Sequence, residues 1–208
     1  MNKLRIALTK GRLEKGAVAL FEKAGLDCAD LREKGRRLVL PLGDRMEAVL
    51  AKAPDVATYV EYGVCEMGIV GKDTLLESGS ALYEVLDLGF GKCQFCIASL
   101  DADILKDGYR LKRIASKYPR LTRDYFDRRG MEVEVVKIEG SVELAPLLGL
   151  ADAIADLVET GDTLRENGLR IVEEVCPVSA RLIVNTAAMK MRKTEIEAFA
   201  SRLEEAMK

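Results

Sequence analysis

The sequence contains no histidine among its 208 residues. Without an imidazole, the chain cannot form a Ser-His-Asp or Cys-His catalytic arrangement or a histidine-bearing zinc site. It also lacks the side chain that most often serves as acid or base near neutral pH. A general base must therefore be a carboxylate, Lys, Tyr or Cys, or the reaction must proceed mainly by positioning and charge.

An excess of charge of one sign is also absent. The chain has 32 Lys and Arg against 34 Asp and Glu, a net charge of −2. Nucleic-acid-binding domains usually carry a basic face, so this balance argues against a nucleic-acid partner. No run approaches the roughly 18 apolar residues of a membrane-spanning helix, and the first apolar stretch is too short for a signal peptide. We therefore expect a cytoplasmic protein without a membrane partner.

Cysteines are few and show no disulfide framework. There are five: Cys28, Cys65, Cys93, Cys96 and Cys176. An odd count without regular spacing is typical of a reducing compartment. The Cys93-x-x-Cys96 pair falls in a segment with a strand pattern, where residues three apart point to opposite faces. We interpret this pair as part of the core rather than as a redox motif.

Strand patterns alternate with helix patterns along the chain. Residues 4–8 alternate as in a strand, and residues 13–24 have helical spacing. Such alternation predicts an α/β protein with largely parallel, helix-covered sheets. Two blocks of these elements predict two small lobes, with a ligand site at the carboxyl ends of the strands.

Capping patterns predict where three helices begin. Asp44 with Glu47, and Thr194 with Glu197, have the spacing of a capping box. Ser141 is placed to cap a helix that extends through Leu148.

The segment 153–164 is the most informative for chemistry. A buried strand is followed by the turn Thr160-Gly161-Asp162-Thr163, which opens a helix. Glycine permits close approach of a ligand, the threonine hydroxyls can donate, and a helix N-terminus offers free N–H groups. These features predict a phosphate cradle. The alternative is an ordinary strand-to-helix turn.

Two carboxylates accompany this turn. Asp156 and Glu159 would repel a phosphate but are suited to sugar hydroxyls and Mg²⁺. The combination predicts a ribose phosphate as ligand.

Two other turns follow predicted strands. Lys10-Gly11-Arg12 places two cations around a glycine, an arrangement suited to a polyphosphate. Gly71 and Asp73 follow a buried strand at the end where ligands bind in such folds. The alternatives are an ordinary charged turn and a helix cap, respectively.

The stretch from Glu143 to Leu164 resembles the signature of the ATP phosphoribosyltransferase family, which catalyses the first step of histidine biosynthesis. The matching positions are Glu143, Gly149, Ala151, Ile154, Asp156, Leu157, Thr160, Gly161, Thr163 and Leu164. Supporting matches are Lys10–Leu13, Asp55-Val56 with Tyr59-Val60, Gly68–Asp73, Ile114–Pro119 and Gly140–Glu143. The resemblance extends over nearly the whole chain.

The resemblance implies both a fold and a reaction. The fold would be two lobes like a type II periplasmic binding protein, with residues 1–90 and 180–208 in lobe I, residues 91–179 in lobe II and the active site in the cleft between them. The reaction would transfer 5-phosphoribosyl from phosphoribosyl pyrophosphate (PRPP) to N1 of ATP, releasing pyrophosphate, with Mg²⁺ as cofactor.

The resemblance also implies partners. The chain ends at Lys208, so it resembles the short form of the family. Short-form chains pair with a regulatory subunit similar to the catalytic core of histidyl-tRNA synthetase in a hetero-octamer that histidine inhibits. A homodimer of catalytic chains is expected within it.

The resemblance and the turn chemistry together give a set of site residues. We expect PRPP to bind at Asp156, Glu159, Thr160, Gly161, Asp162, Thr163 and Leu164. We expect ATP and pyrophosphate to bind at Lys10, Gly11, Arg12, Lys52, Tyr59, Gly71, Asp73 and Glu143. No acid or base is assigned, because N1 of adenine already carries a lone pair. No protein metal ligand is assigned, because the substrate would carry Mg²⁺.

Three positions depart from the family pattern. Lys52 stands where the family usually has Arg, Ala57 where it has Pro, and Glu66 where it has Asp. Lys52 keeps the positive charge but lacks the bidentate fork of Arg. The presence of Lys52 in place of Arg therefore concerns how the chain binds a nucleotide.

Two alternative functions fit the sequence less well. A solute sensor of the same fold would need a signal peptide or a helix-turn-helix, and the sequence shows neither. A purine-salvage phosphoribosyltransferase usually has paired acidic residues directly before its Thr-Gly loop, whereas Asp156 and Glu159 are separated.

Overall fold

A computed structural model describes residues 3–106 and 110–208. The chain divides into two compact units. The first comprises the chain through Gly91 together with Ser179–Lys208, and the second is Lys92–Val178. Gly91 and Ser179, which the sequence assigned to the second lobe, thus belong to the first unit.

The secondary structure alternates as the sequence predicted. The strands are β1 Leu4–Thr9, β2 Val39–Leu42, β3 Met46–Ala51, β4 Met67–Gly71, β5 Tyr83–Asp87, β6 Cys93–Ser99, β7 Lys112–Ser116, β8 Val133–Lys137, β9 Ala153–Val158, β10 Arg170–Val178 and β11 Ala180–Val184. The helices are α1 Arg12–Lys23, α2 Ala29–Arg32, α3 Ala53–Glu61, α4 Lys72–Ser78, α5 Pro119–Arg128, α6 Leu144–Leu147, α7 Asp162–Glu166, α8 Thr186–Met191 and α9 Lys193–Met207. None of the helices in the described parts of the chain is long and apolar enough to span a membrane.

Each unit contains one mixed sheet. The first has the strand order β2-β3-β1-β4-β11-β5, and the second has β10-β6-β9-β7-β8. Only β3-β1-β4 and β9-β7-β8 run parallel, and the remaining described pairings are antiparallel. The prediction of largely parallel sheets was therefore wrong. The reason is that β2 pairs as a hairpin with β3, while β11 returns from the second unit and inserts between β4 and β5.

Helices cover both faces of the first sheet. On one face α1 and α9 pack together through Phe21 and Phe199, whose ring centroids lie 5.8 Å apart. On the other face Val56 and Val60 of α3 pack against Ala7 of β1. Burying both faces explains the continuous apolar run of β4, in which all five residues are buried.

The second sheet has its own core. Ala98, Ala115 and Ile154 on neighbouring strands pack with Leu164 of α7. Phe95 lies edge-on to Tyr118 at 5.7 Å, where α5 begins. The packing of Leu164 connects the turn after β9 to this core.

The capping predictions were wrong at all three sites. Asp44 lies in the turn of the β2–β3 hairpin, and the burial of Met46, Ala48 and Leu50 shows the period of two expected for a strand.

The other two predicted caps are displaced by a few residues. Helix α6 begins after Glu143 and spans only four residues, so Ser141 is not its cap. Helix α9 begins after Arg192, which places Thr194 inside the helix. Neither helix has a side-chain cap, and the buried Ile196, Phe199, Ala200 and Leu203 anchor α9 instead.

Candidate functional site

The turn between β9 and α7 borders a cavity of about 270 Å³ in the second unit. Its lining residues are Glu143, Asp156, Leu157, Val158, Glu159, Thr160, Gly161, Asp162, Thr163 and Leu164. All seven residues expected to bind PRPP are among them. The structure thus brings this predicted set together in one place.

Glu143 also lines this cavity, although the sequence grouped it with the residues for ATP and pyrophosphate. It is the residue preceding α6, and no side-chain hydrogen bond caps that helix. The structure therefore places the Glu143 side chain with the turn in the second unit.

Hydrogen bonds within the turn fix its shape. The Thr160 hydroxyl donates to the Asp162 carboxylate at 2.6 Å. Arg165 donates from Nη1 to the Thr160 carbonyl at 3.2 Å, and its Nη2 contacts the Asp162 carboxylate. The Gly161 carbonyl accepts from the Arg165 backbone at 3.0 Å. The turn is thus held by Arg165 from the following helical turn.

Gly161 adopts a left-handed conformation, with φ of 76° and ψ of 4°. A Cβ atom there would lie 3.4 Å from Arg165 Nη1 and 3.8 Å from Val158 Cγ1, which is ordinary contact. Glycine is therefore required by the backbone angle more than by lack of space. This modifies the expectation that its role is to let a ligand approach.

Helix α7 has only five residues. The helix macrodipole is a sum over aligned peptide units, so its contribution here is small. The predicted cradle consequently depends on the backbone N–H groups and hydroxyls of the turn itself.

In the first unit, two cations lie where parallel strands end. The backbone N–H of Lys10 donates to the Ala51 carbonyl at 2.9 Å, and the next residue, Lys52, is the N-cap of α3. The loop after β1 and the loop after β3 are therefore adjacent. Arg12, the first residue of α1, is exposed at the same edge.

Gly11 connects these cations and has φ of 97°. Nothing lies within 4 Å of the position of a Cβ atom there, so the turn is open on that side. Its N–H donates to Glu14 Oε2 at 3.3 Å. Glu14 is 5% exposed, and its other carboxylate oxygen contacts the Lys34 ammonium.

Gly71 and Asp73 interact closely with each other. A Cβ atom at Gly71 would lie 2.0 Å from Asp73 Oδ1, and Asp73 is 7% exposed. The Asp73 carboxylate is thus packed over the end of β4. This contact supports the alternative that Asp73 has a structural role at the start of α4.

Tyr59 lies apart from the strand ends. It is seven residues along α3 from Lys52, which corresponds to about 10 Å of helix rise. Its side chain is on the exposed surface of that helix.

Glu66, which stands where the family usually has Asp, lies just before β4. This is the opposite end of the parallel strands from Lys52. The Glu66 carboxylate accepts from the Arg5 backbone N–H at 2.8 Å and from Arg192 at 2.9 Å. Ala57 lies on the buried face of α3. Neither position is at the carboxyl ends of the strands, where Lys52 lies.

Two side chains near the predicted residues were not predicted from the sequence. Arg165 follows Asp162 by three residues, the spacing of a helical ion pair. Glu14 follows Gly11 by three residues, the spacing of a capping box. Each signal was present but indistinguishable from ordinary helix chemistry.

No group of three or more Cys, Asp or Glu side chains within residues 3–106 and 110–208 is arranged to hold a metal ion. No disulfide joins the cysteines in the described segments, and Cys96 is buried on β6.

Two α/β units, one inserted into the chain of the other, define the class of two-lobed proteins with a type II periplasmic-binding-protein fold. Solved structures of this class resemble the chain. The VFT2 domain of BvgS from Bordetella pertussis matches with a TM-score of 0.60 at 15% identity over 98% of this chain and 86% of that one. The sulphonate-binding protein SsuA from Escherichia coli matches with a TM-score of 0.57 at 14% identity over 100% of this chain and 73% of that one. These two likenesses concern the fold alone.

The family is narrower. The family model HisG: ATP phosphoribosyltransferase matches residues 52–205. The ATP phosphoribosyltransferase of Clostridium kluyveri is 57% identical over 97% of this chain and 93% of its own length. That of Clostridium acetobutylicum is 58% identical over 93% and 90%, respectively. A solved ATP phosphoribosyl transferase (HisG:HisZ) complex from Thermotoga maritima contains a chain with a TM-score of 0.82 and 29% identity, covering 98% of both chains.

The chain belongs to the ATP phosphoribosyltransferase family. It is a pentosyltransferase that acts in the first step of histidine biosynthesis. The predicted function is thereby confirmed, as is the predicted two-lobed α/β fold class.

Proposed function

We propose that the second unit binds PRPP at the β9–α7 turn and that the first unit binds ATP at the ends of β1 and β3. The observation that carries this proposal is the 270 Å³ cavity, which places Asp156 and Glu159 beside the Thr160–Thr163 turn. Carboxylates accept hydrogen bonds from ribose hydroxyls, and the turn donates to a 5-phosphate. A ribose phosphate presents both hydroxyls and a phosphate, so it is suited to a cavity with both kinds of group.

The reaction requires positioning more than proton transfer. The N1 lone pair of adenine attacks C1 of the ribose, the bond from C1 to pyrophosphate breaks, and its electron pair leaves with pyrophosphate. The transition state resembles an oxocarbenium ion. The protein holds the two reactants in line and stabilises the departing charge, so a chain without histidine is suited to this chemistry.

Cations of the first unit would meet the phosphates. Lys10 and Lys52 lie on adjacent loops, and Arg12 follows within two residues of Lys10. Their charges would neutralise the ATP phosphates and the leaving pyrophosphate. Gly11 supplies the open turn between Lys10 and Arg12. Tyr59 lies about 10 Å along α3 from Lys52, and Asp73 packs against Gly71. These three residues are therefore left out of the proposed phosphate contacts.

Mg²⁺ would arrive with the pyrophosphate group of PRPP. This ion commonly binds through one or two carboxylates together with substrate phosphates and water. Asp156 and Glu159 are the carboxylates beside the ribose position, and they fit that role. When bound, the ion supplies positive charge to the leaving group.

A regulatory partner is part of the proposal. The Thermotoga maritima chain, similar over 98% of its length, was solved in a HisG:HisZ complex. We propose that this chain likewise pairs with a HisZ-type subunit resembling the catalytic core of histidyl-tRNA synthetase. The assembly would be a cytoplasmic hetero-octamer containing catalytic dimers.

The test is an assay with ATP, PRPP and Mg²⁺, with and without the candidate partner. Phosphoribosyl-ATP is detected by its near-ultraviolet absorbance. We expect Thr160→Ala to raise KM for PRPP and Lys10→Ala to raise KM for ATP, with removal of Mg²⁺ by chelation abolishing turnover. If both variants change the same constant, or neither does, the assignment of one substrate to each unit is wrong.

A further inference from the structure

The 270 Å³ cavity proposed to bind the 5-phosphate is lined by negative charge. Its lining in the described chain includes four acidic residues, Glu143, Asp156, Glu159 and Asp162, and no Lys or Arg. Asp162 follows directly after Gly161, where the 5-phosphate is proposed to bind. A carboxylate next to the bound phosphate dianion would repel it unless a cation neutralises the carboxylate.

Arg165 is the cation that contacts Asp162. Its Nη2 pairs with the Asp162 carboxylate, while its Nη1 donates to the Thr160 carbonyl at 3.2 Å. The planar guanidinium thus bridges the residues on both sides of Gly161. This geometry fixes the carboxylate and neutralises it at the same time.

Arg165 does not line the 270 Å³ cavity. It lines a different cavity, of about 420 Å³, which shares Val158–Gly161 and Leu164 with the first one. A Cβ atom on Gly161 would point toward this side, 3.4 Å from Arg165 Nη1. The guanidinium thus contacts Asp162 without lining the cavity proposed for the phosphate.

We infer that Arg165 is a positioning residue for PRPP: it offsets the charge of Asp162 and so allows a phosphate dianion to bind at the turn. The inference rests on the proposed function. It assigns Arg165 an effect through Asp162, without contact to substrate. Asp162 is then an unfavourable group that the chain tolerates because Arg165 is present.

The test is a double-substitution cycle, with the dissociation constant of Mg²⁺–PRPP measured by calorimetry on the full chain. We expect Arg165→Ala to weaken binding about three- to tenfold, the effect of one nearby charge in a partly screened setting. Asp162→Asn, which keeps an acceptor for Thr160, should strengthen binding. The double variant should bind within about twofold of the original chain, because removing the carboxylate removes the need for the cation.

Two further variants separate charge from structure. Arg165→Lys keeps the charge and should retain most of the affinity. Arg120→Ala removes a comparably exposed ion pair with Asp124 on α5 of the same unit and should have no effect. Asp162 and Arg165 are 61% and 67% exposed, so the loss in Arg165→Ala should shrink at 1 M salt, where the Debye length is about 3 Å.

The inference is overturned if the double variant binds as weakly as Arg165→Ala. That result would assign Arg165 to direct phosphate contact or to clamping of the Thr160 carbonyl. Thr160→Ala distinguishes failure of the underlying proposal. If Thr160→Ala leaves PRPP affinity unchanged, the turn is not the phosphate site and both ideas fail; if it weakens binding while Arg165→Ala does not, only the role of Arg165 is wrong.

Discussion

Gly161 shows how a single residue joins fold and site. Its φ of 76° lies in the region that other residues adopt at a cost of about 1–2 kcal/mol. The surrounding atoms leave ordinary space for a methyl group. The strain of a substitution therefore arises from the backbone angle, and the turn can relieve that strain by changing its conformation.

We predict that Gly161→Ala weakens PRPP binding at least tenfold and that Gly161→Val abolishes it in a protein that remains folded. A shift of the turn displaces the Thr160 and Asp162 groups, and small misplacements are expensive at a binding site. Calorimetry measures the affinity. Gly130, with φ of 66° and no atom within 4 Å of a Cβ, provides the matched control. Gly130→Ala should cost similar stability but leave PRPP affinity unchanged, and equal losses of affinity would count against the prediction.

Lys52 tests the ATP site proposed in the first unit. We predict that Lys52→Ala raises KM for ATP about three- to tenfold, while Lys52→Arg lowers it or leaves it unchanged. A charge-assisted hydrogen bond contributes about 1.5–3 kcal/mol when buried, and less at an exposed position such as this one. KM is measured in the partner-containing complex. The exposed Lys23, at the far end of α1, is the control. An unchanged KM for Lys52→Ala at low salt would remove Lys52 from the site.

The cysteines should react unequally. Burial is the largest cause that raises the pKa of Cys28, Cys65 and Cys96, in each case to about 11. A raised pKa disfavours the reactive thiolate, so at pH 8 these thiols should resist iodoacetamide while the partly exposed Cys93 and Cys176 are labelled first. Mass spectrometry of timed samples measures this order. In urea the difference should vanish, and fast labelling of native Cys96 would contradict the prediction.

At the scale of elements, Glu66 joins three parts of the first unit. Its carboxylate accepts from the Arg5 backbone on β1 and from Arg192, the residue before α9, while its own carbonyl accepts from the Asn185 N–H at 2.9 Å. These contacts lie at the amino end of β4, and Gly71 lies at the other end. The departure from the usual Asp thus belongs to strand and helix packing.

We predict that Glu66→Ala lowers the free energy of unfolding by about 1–3 kcal/mol without changing KM for either substrate. The Glu66 and Arg192 side chains are only 20% and 17% exposed. Loss of the Glu66 carboxylate removes the acceptor of the Arg5 backbone N–H and one of the acceptors of Arg192, which keeps its hydrogen bonds to Glu195. Urea unfolding measures the difference. Glu197→Ala breaks an exposed pair with Lys193 and should cost at most about 0.5 kcal/mol. A changed KM in Glu66→Ala would mean that the amino end of β4 influences substrate binding.

At the scale of the whole molecule, the second unit is a continuous insertion. Its first and last strands pair antiparallel, with Cys93 opposite Val178, so the two ends of the unit are neighbours. The unit has its own sheet and its own buried cluster. Such an arrangement is expected of a segment that can fold alone.

We predict that the fragment 92–178 folds cooperatively by itself. A domain of this size should have a free energy of unfolding of about 4–13 kcal/mol. Circular dichroism during urea unfolding measures it. The complementary chain, with residues 91 and 179 joined by a short glycine linker, should also fold, because Leu88 and Ala180 already bond within the first unit at 2.9 Å. A disordered 92–178 fragment would show that the second unit depends on the first.

The sequence by itself determined what depends on neighbours along the chain. The alternation of β and α elements, the buried face of α9 and the turn after β9 are all encoded in short periodic or turn patterns. The family signature from Glu143 to Leu164 is likewise local. For this reason the sequence predicted the fold class, and it supplied together the residues now proposed to bind PRPP.

Only the tertiary structure decided what depends on distant segments. The hairpin of β2 with β3 replaced a predicted helix start because pairing with β1 selects the strand period of Met46–Ala51. The antiparallel insertion of β11 depends on where the chain returns from the second unit. Glu143 lines the turn cavity through packing that no local pattern specifies. Short-range propensity cannot encode these outcomes, since each is set by contacts that form only when the units are folded.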